Sequence, residues 1–265
     1  MAGLPVVLVH GGGHGAWCWA PLVAELASPA LAVDLPPAAV RGGPDRHADL
    51  PELHTLTVGD FAASVLADAD AAGYDRFVLV GHSLAGVTIP EVARRAPDRV
   101  AHLVFVSCAV PEEGTSVFAM RGDDAPERSL VEAAATPAAA VDPGATGPGP
   151  TGPALPDDVL RFMFGTDLDD AAMQLVLDHF GGEVMGVLEE PVSRVGVPAT
   201  IPKTWVRLLR DAAVPVEMQD ANIAFLETSP GGTVEVVDLD TGHNAMLSRP
   251  RELAAIVDAI ATTAT

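Results

Sequence analysis

Short β-rich apolar runs recur along the chain, the first four without the polar alternation of a half-exposed strand. Val6-Val7-Leu8-Val9, Leu31-Ala32-Val33-Asp34-Leu35, Phe77-Val78-Leu79-Val80 and Leu103-Val104-Phe105-Val106 come first. Trp205-Val206-Arg207-Leu208-Leu209 and Val234-Glu235-Val236-Val237 close the series. Strands of this kind belong in a parallel sheet covered on both faces. Between them, Val58 to Ala72 and Leu84 to Arg95 have helical composition. Leu253, Ile256, Val257 and Ile260 keep helical spacing in a last segment that starts at Pro250. This alternation predicts an α/β fold with a mostly parallel, doubly wound sheet.

The pattern breaks between Pro111 and Pro202. Short helices are expected at Arg128 to Ala135 and at Asp169 to Phe180. Thr136 to Pro156 is a Pro/Gly/Ala/Thr tract whose single charge is Asp142, which predicts a flexible surface loop. The strands after the break need the earlier ones as partners. Residues 1–110 and 203–265 therefore read as one core, and 111–202 as a helical lid inserted into it.

Composition narrows the function classes. With 265 residues, 49% of them hydrophobic, the chain is no disordered segment. It has no apolar stretch near the roughly 20 residues of a membrane helix. Met1 to Pro5 lacks a basic n-region, so no secretory signal is read and a cytoplasmic location is expected. Fifteen basic against thirty-six acidic residues, a formal charge of −21, disfavour nucleic acid and anionic membranes as partners. Cys18 and Cys108 are too few for a disulfide framework and read as small buried hydrophobes. Monomer and homodimer both remain open.

The chemistry centres on Val80-Gly81-His82-Ser83-Leu84-Ala85-Gly86, an apolar strand running through Gly-x-Ser-x-small into a helix. A serine there sits on a sharp, strained turn with its hydroxyl exposed. Ala85 stands where the usual pattern has a second glycine, and is still small enough for the strand and helix to approach. A glycine-rich turn, His10-Gly11-Gly12-Gly13-His14-Gly15, follows the first strand. It matches neither the dinucleotide nor the P-loop spacing and has no lysine, and a glycine loop is a poor frame for a His10/His14 metal pair. No metal or cofactor is expected. Acyl transfer needs two N–H donors where the carbonyl oxygen becomes an anion, and Leu84 and Gly12 are the candidates. A base and an orienting acid must follow the serine in chain order. His243, just past the last strand, is the base. Asp211, which ends the strand at Trp205 to Arg210, is the acid ahead of Asp238 and Asp240. His179 and His102 read as packing residues, and His47 and His54 as loop residues without partners. His82 either lines the site or packs beneath it. Gly11, His82, Phe118, Met120, Phe162 and Met185 are pocket candidates, with Met163 and Phe164 beside them, the lid residues among them equally able to form the lid's own core.

Val7-Leu8-Val9-His10-Gly11, His14-Gly15-Ala16-Trp17-Cys18-Trp19, Val33-Asp34-Leu35-Pro36, Gly81-His82-Ser83-Leu84, Asp211-Ala212-Ala213-Val214-Pro215 and Gly242-His243-Asn244-Ala245-Met246-Leu247 resemble the α/β-hydrolase superfamily. They are most similar to its branch of plant methyl-ester esterases, hydroxynitrile lyases and bacterial relatives. The resemblance implies an α/β-hydrolase fold, a Ser83–Asp211–His243 triad and an oxyanion hole at Gly12 and Leu84. The lyases of that branch carry a threonine after the first histidine and a lysine after the last, where this chain has Gly11 and Asn244. The expected activity is hydrolysis of a small-molecule carboxylic ester. Acyl transfer or cyclisation on the same triad is the alternative, ahead of a lyase or a ligand-binding non-enzyme.

Overall fold

The structure is a computed structural model that describes residues 3–48, 50, 55–120 and 155–264. Its strands are β1 (Val6–Val9), β2 (Ala30–Val33), β3 (Phe77–His82), β4 (Val100–Val106), β5 (Lys203–Leu208) and β6 (Val234–Leu239). The helices around them are α1 (Ala20–Glu25), α2 (Val58–Ala71), α3 (Ala85–Arg95), α4 (Val117–Met120), α5 (Asp157–Phe164), α6 (Asp170–His179), α7 (Met185–Glu189), α8 (Val216–Leu226), α9 (Ala245–Ser248) and α10 (Pro250–Thr263). The helix expected at Arg128 to Ala135 and nearly all of the loop expected at 136–156 lie outside the described residues.

The sheet order is β2-β1-β3-β4-β5-β6, and every pairing is parallel. Side chains alternate across a strand, so a run that is apolar throughout must find cover on both sides. Val7, Val9, Phe77, Leu79, Leu103, Phe105 and Trp205 join one core with residues of α2, α3 and α8. Their neighbours Val6, Leu8, Val78, Val80, Val104, Val106, Val206 and Leu208 join a second core with α1, α9 and α10. Both cysteines are free and buried in these layers. Strand β2 ends at Val33 rather than at the expected Leu35, because the next residues serve the site. Asp34 Oδ1 accepts the Ala16 N–H at 2.6 Å, and the Leu35 N–H donates to His10 Nε2 at 3.0 Å.

From β2 the chain crosses to the far side of β1 to form β3. Neighbouring strands β1 and β3 therefore run their C-terminal ends into loops that diverge. Such a switch point is where open α/β sheets bind ligands, and here it joins His10-Gly11 to His82-Ser83. The register pairs Val9 with Gly81.

The turn from β3 into α3 depends on small residues. A Cβ at Gly81 would lie 3.0 Å from Ile89 and 3.1 Å from the Ala85 Cβ, so alanine fits at 85 while position 81 stays bare. Gly86 is more constrained, since a Cβ there would stand 2.3 Å from the Ala109 carbonyl oxygen. An alanine replacing a helical glycine ordinarily stabilises by up to about 1 kcal/mol. Gly86→Ala is expected to destabilise instead, by about 1–3 kcal/mol from overpacking, as read by urea denaturation. Unchanged or higher stability would contradict this packing.

Candidate active site

Ser83 lies directly after β3 with φ +53, and Ser107, directly after β4, has φ +42. Among the described residues these are the two non-glycine positions in the left-handed region, a strain of order 1–3 kcal/mol each that clusters at functional sites. The Ser83 backbone is held at both ends: its N–H donates to the Val106 carbonyl at 3.2 Å, and its own carbonyl accepts from Ala109 at 2.9 Å. A Cβ on Gly11 would lie 2.6 Å from the Ser83 Cβ. The serine turn and the glycine turn are in van der Waals contact.

Asp211 follows β5, and its carboxylate gathers four donors. Oδ1 accepts the N–H groups of Ala213 and Val214 at 2.8 Å each. Oδ2 accepts the Ser107 hydroxyl at 2.6 Å and His243 Nδ1 at 2.7 Å. The loop carrying Asp211 is pinned by the buried Gln219, which bonds both the N–H and the carbonyl of Leu208 and the Val214 carbonyl. The competing carboxylates are engaged elsewhere: Asp238 pairs with Arg207 at 2.8 Å and Asp240 with Arg210 at 2.8 Å, both at the surface.

Because a carboxylate only accepts, His243 carries its proton on Nδ1 and keeps a lone pair on Nε2. The loop after β6 brings it back over the sheet edge, where the His243 carbonyl accepts from His82 Nε2 at 3.0 Å and the two rings lie 4.5 Å apart. No hydrogen bond joins Ser83 Oγ to His243 among the described residues; such contacts often tighten only once a substrate is seated. His82, next to Ser83 in the chain, is thus fully buried against His243.

The glycine turn is fixed peptide by peptide. The Leu35 N–H claims His10 Nε2, so His10 Nδ1 donates to the Gly11 carbonyl at 2.8 Å, which also accepts the His14 N–H at 3.2 Å. His14 Nδ1 donates to the Gly12 carbonyl at 2.9 Å. No group of three or more His, Cys, Asp and Glu that could hold a metal ion occurs among the described residues. The N–H groups of Gly12 and Leu84 have no acceptor among the described residues. Leu84 lies against Gly12, its Cδ2 3.3 Å from where a Gly12 Cβ would be.

The segment between β4 and β5 covers this edge. Phe164 of α5 stacks on the His243 ring at 5.5 Å, and Phe164 and Phe180 both meet His14 edge-on at 5.3 Å. Phe162, one of the expected pocket residues, is 60% exposed. It is two residues, about 200°, around the helix from Phe164, and the ring that reaches the site is Phe164. Phe118 and Met120 sit half-buried on α4, which packs against the helix that Met185 opens. None of the three is tied by ring contact or hydrogen bond to Ser83, Asp211 or His243. His179 bonds its own helix and lies against Trp17, and His102, within β4 rather than at its start, bonds Thr204 Oγ1 at 2.8 Å.

A doubly wound parallel sheet with a serine elbow, a glycine turn and an Asp–His pair at its C-terminal edge defines a hydrolase class of fold. The Alpha/beta hydrolase family model matches residues 6–256, and the chain belongs to that family. It is 32% identical to Esterase PIR7B of Oryza sativa subsp. japonica, covering 96% of this chain and 94% of that protein. Methylesterase 7 of Arabidopsis thaliana is 27% identical over 96% of this chain and 95% of its own length. The solved structure of a pyrethroid hydrolase from Sphingobium faniae JZ-2 shares the fold, with a TM-score of 0.74 at 23% identity over 97% of each chain.

Three buried imidazoles make the site sensitive to acid. Burial is the leading cause for each: it pulls His10 and His82 well below the ordinary histidine value and His14 down to about 4. The unfolded chain takes up these protons near pH 6.5 and the folded one does not. Stability is therefore highest above pH 6.5 and declines as pH falls toward 4. Each of the three rings adds to that loss. Urea denaturation at pH 7 and pH 5 is expected to differ by a few kcal/mol; equal stabilities would contradict neutral burial of these rings.

Proposed function

We propose that the chain is a serine hydrolase that cleaves a small or medium carboxylic ester through an acyl-enzyme on Ser83. The observation carrying this reading is the 2.7 Å bond from His243 Nδ1 to Asp211, which leaves Nε2 free to act as a base toward Ser83 on its strained turn. Ser83 Oγ attacks the ester carbonyl as its proton passes to His243 Nε2. Asp211 holds the imidazole and stabilises its charged form. The Gly12 and Leu84 N–H groups receive the oxyanion, each donor contributing about 3 kcal/mol. Collapse expels the alcohol, which takes the proton from His243. A water then loses its proton to the same nitrogen, attacks the acyl group, and releases the acid with Ser83 restored.

Residues 111–202 act as the lid, with Phe164 shielding His243 from water. Kinship with proteins named esterase and methylesterase supports the ester class. Position 11 supports hydrolysis over cyanohydrin cleavage, since no side chain fits against Ser83 there, and Asn244 supplies no cation for a departing cyanide. The acidic, cysteine-poor composition fits action on a small molecule in the cytoplasm.

Ser83→Ala is expected to lower turnover of a panel of p-nitrophenyl esters by at least about 10⁴-fold while the thermal unfolding midpoint is kept. Wild-type hydrolysis by the folded variant would remove Ser83 from the reaction. Gly11→Ala pushes a methyl into the Ser83 Cβ. Its kcat is expected to fall by about ten-fold or more, the cost of displacing a nucleophile by a fraction of an ångström; an unchanged kcat would contradict the close contact.

A further inference from the structure

Glu183 comes from the segment between β4 and β5, 170 residues from the glycine turn it touches. Its Oε2 accepts the Gly13 N–H at 3.1 Å and lies 3.6 Å from where a Gly12 Cβ would be. Arg41 grips both carboxylate oxygens at 3.0 Å each, with its side chain wholly buried and that of Glu183 only 12% exposed. The guanidinium is itself fixed by the Leu35, Pro36 and Gly182 carbonyls and lies 5.8 Å from the Phe61 ring centre.

This pair completes the fixing of the glycine turn. The Gly11 and Gly12 carbonyls are held by His10 and His14, and the Gly13 carbonyl accepts from Gly181 at 2.7 Å. Gly13 has φ +67, and Phe180 fills the space beside it. With the Gly13 N–H bound to Glu183 and the three carbonyls of the turn taken, the Gly12 N–H next to it has no acceptor among the described residues. We infer that Glu183, clamped by Arg41, is a positioning residue that aims the Gly12 N–H at the oxyanion. The donor is then fully placed only when the lid is docked. This inference rests on the ester-hydrolase reading above.

An effect exerted through the oxyanion appears in kcat and spares ground-state binding. Two variants test it. Glu183→Ala removes the acceptor. The double variant Arg41→Met with Glu183→Met replaces the buried pair by apolar side chains, a change that buried ion pairs often tolerate without loss of stability. In both, kcat is expected to fall about 10- to 100-fold with KM within about three-fold. Affinity for a trifluoromethyl ketone, whose adduct carries the oxyanion, is expected to weaken in proportion to kcat/KM. A wild-type kcat in the folded double variant, or a loss confined to KM or to thermal stability, would overturn the assignment. Wild type and Ser83→Ala are assayed alongside. Turnover that needs Ser83 but ignores Glu183 defeats this inference alone, whereas absence of Ser83-dependent turnover in the wild type defeats the hydrolase reading with it.

Discussion

The site depends on the carboxylate of Asp211 being saturated. Two backbone N–H groups, one hydroxyl and one imidazole converge on two oxygens, all within 2.6–2.8 Å. Buried carboxylate oxygens without such donors would be left unsatisfied at a high cost. With them the carboxylate becomes a fixed charge that sets both the tautomer and the plane of His243. The four donors trace to three strand ends: Ser107 to β4, Ala213 and Val214 to the turn after β5, and His243 to the loop after β6. The parallel sheet matters because it delivers all these ends to one edge.

The other half of the site follows the opposite logic. At the glycine turn, His10, His14 and Glu183 occupy neighbouring backbone groups so that the Gly12 N–H stays free. The imidazoles serve because each offers one donor and one acceptor while neutral, and burial keeps them neutral. Ser83 and Ser107 hold strained dihedrals against this background, paid for by the packed layers on either side of the sheet. On the proposed ester-hydrolase reading, rigidity here places donors before charge develops, which is how preorganised sites favour a transition state over a ground state.

Much of this was legible in the chain. Strands apolar at every position announced a sheet covered on both faces, and the elbow and the glycine turn were readable because their chemistry is local. Asp211 could be ranked by its place after a strand, yet only the fold shows that Asp238 and Asp240 are taken by Arg207 and Arg210. Ser107 and Glu183 gave no signal, because their partners lie 104 and 170 residues away and nothing in their neighbours marks them. Which of Phe162 and Phe164 faces the site turned on helical phase in a short element, where aromatic positions two residues apart face opposite ways. Likewise β2 stopped early because Asp34 and Leu35 spend their polar groups on the loop before α1 and on His10, a tertiary demand that local propensity does not carry.

Reaction with a fluorophosphonate, followed over time by residual ester turnover and by peptide mapping, tests the central claim most directly. A single phosphonyl group is predicted on Ser83, appearing at the rate at which activity disappears. Full inactivation with Ser83 unmodified, or a modified Ser83 in protein that still turns over ester, would contradict it.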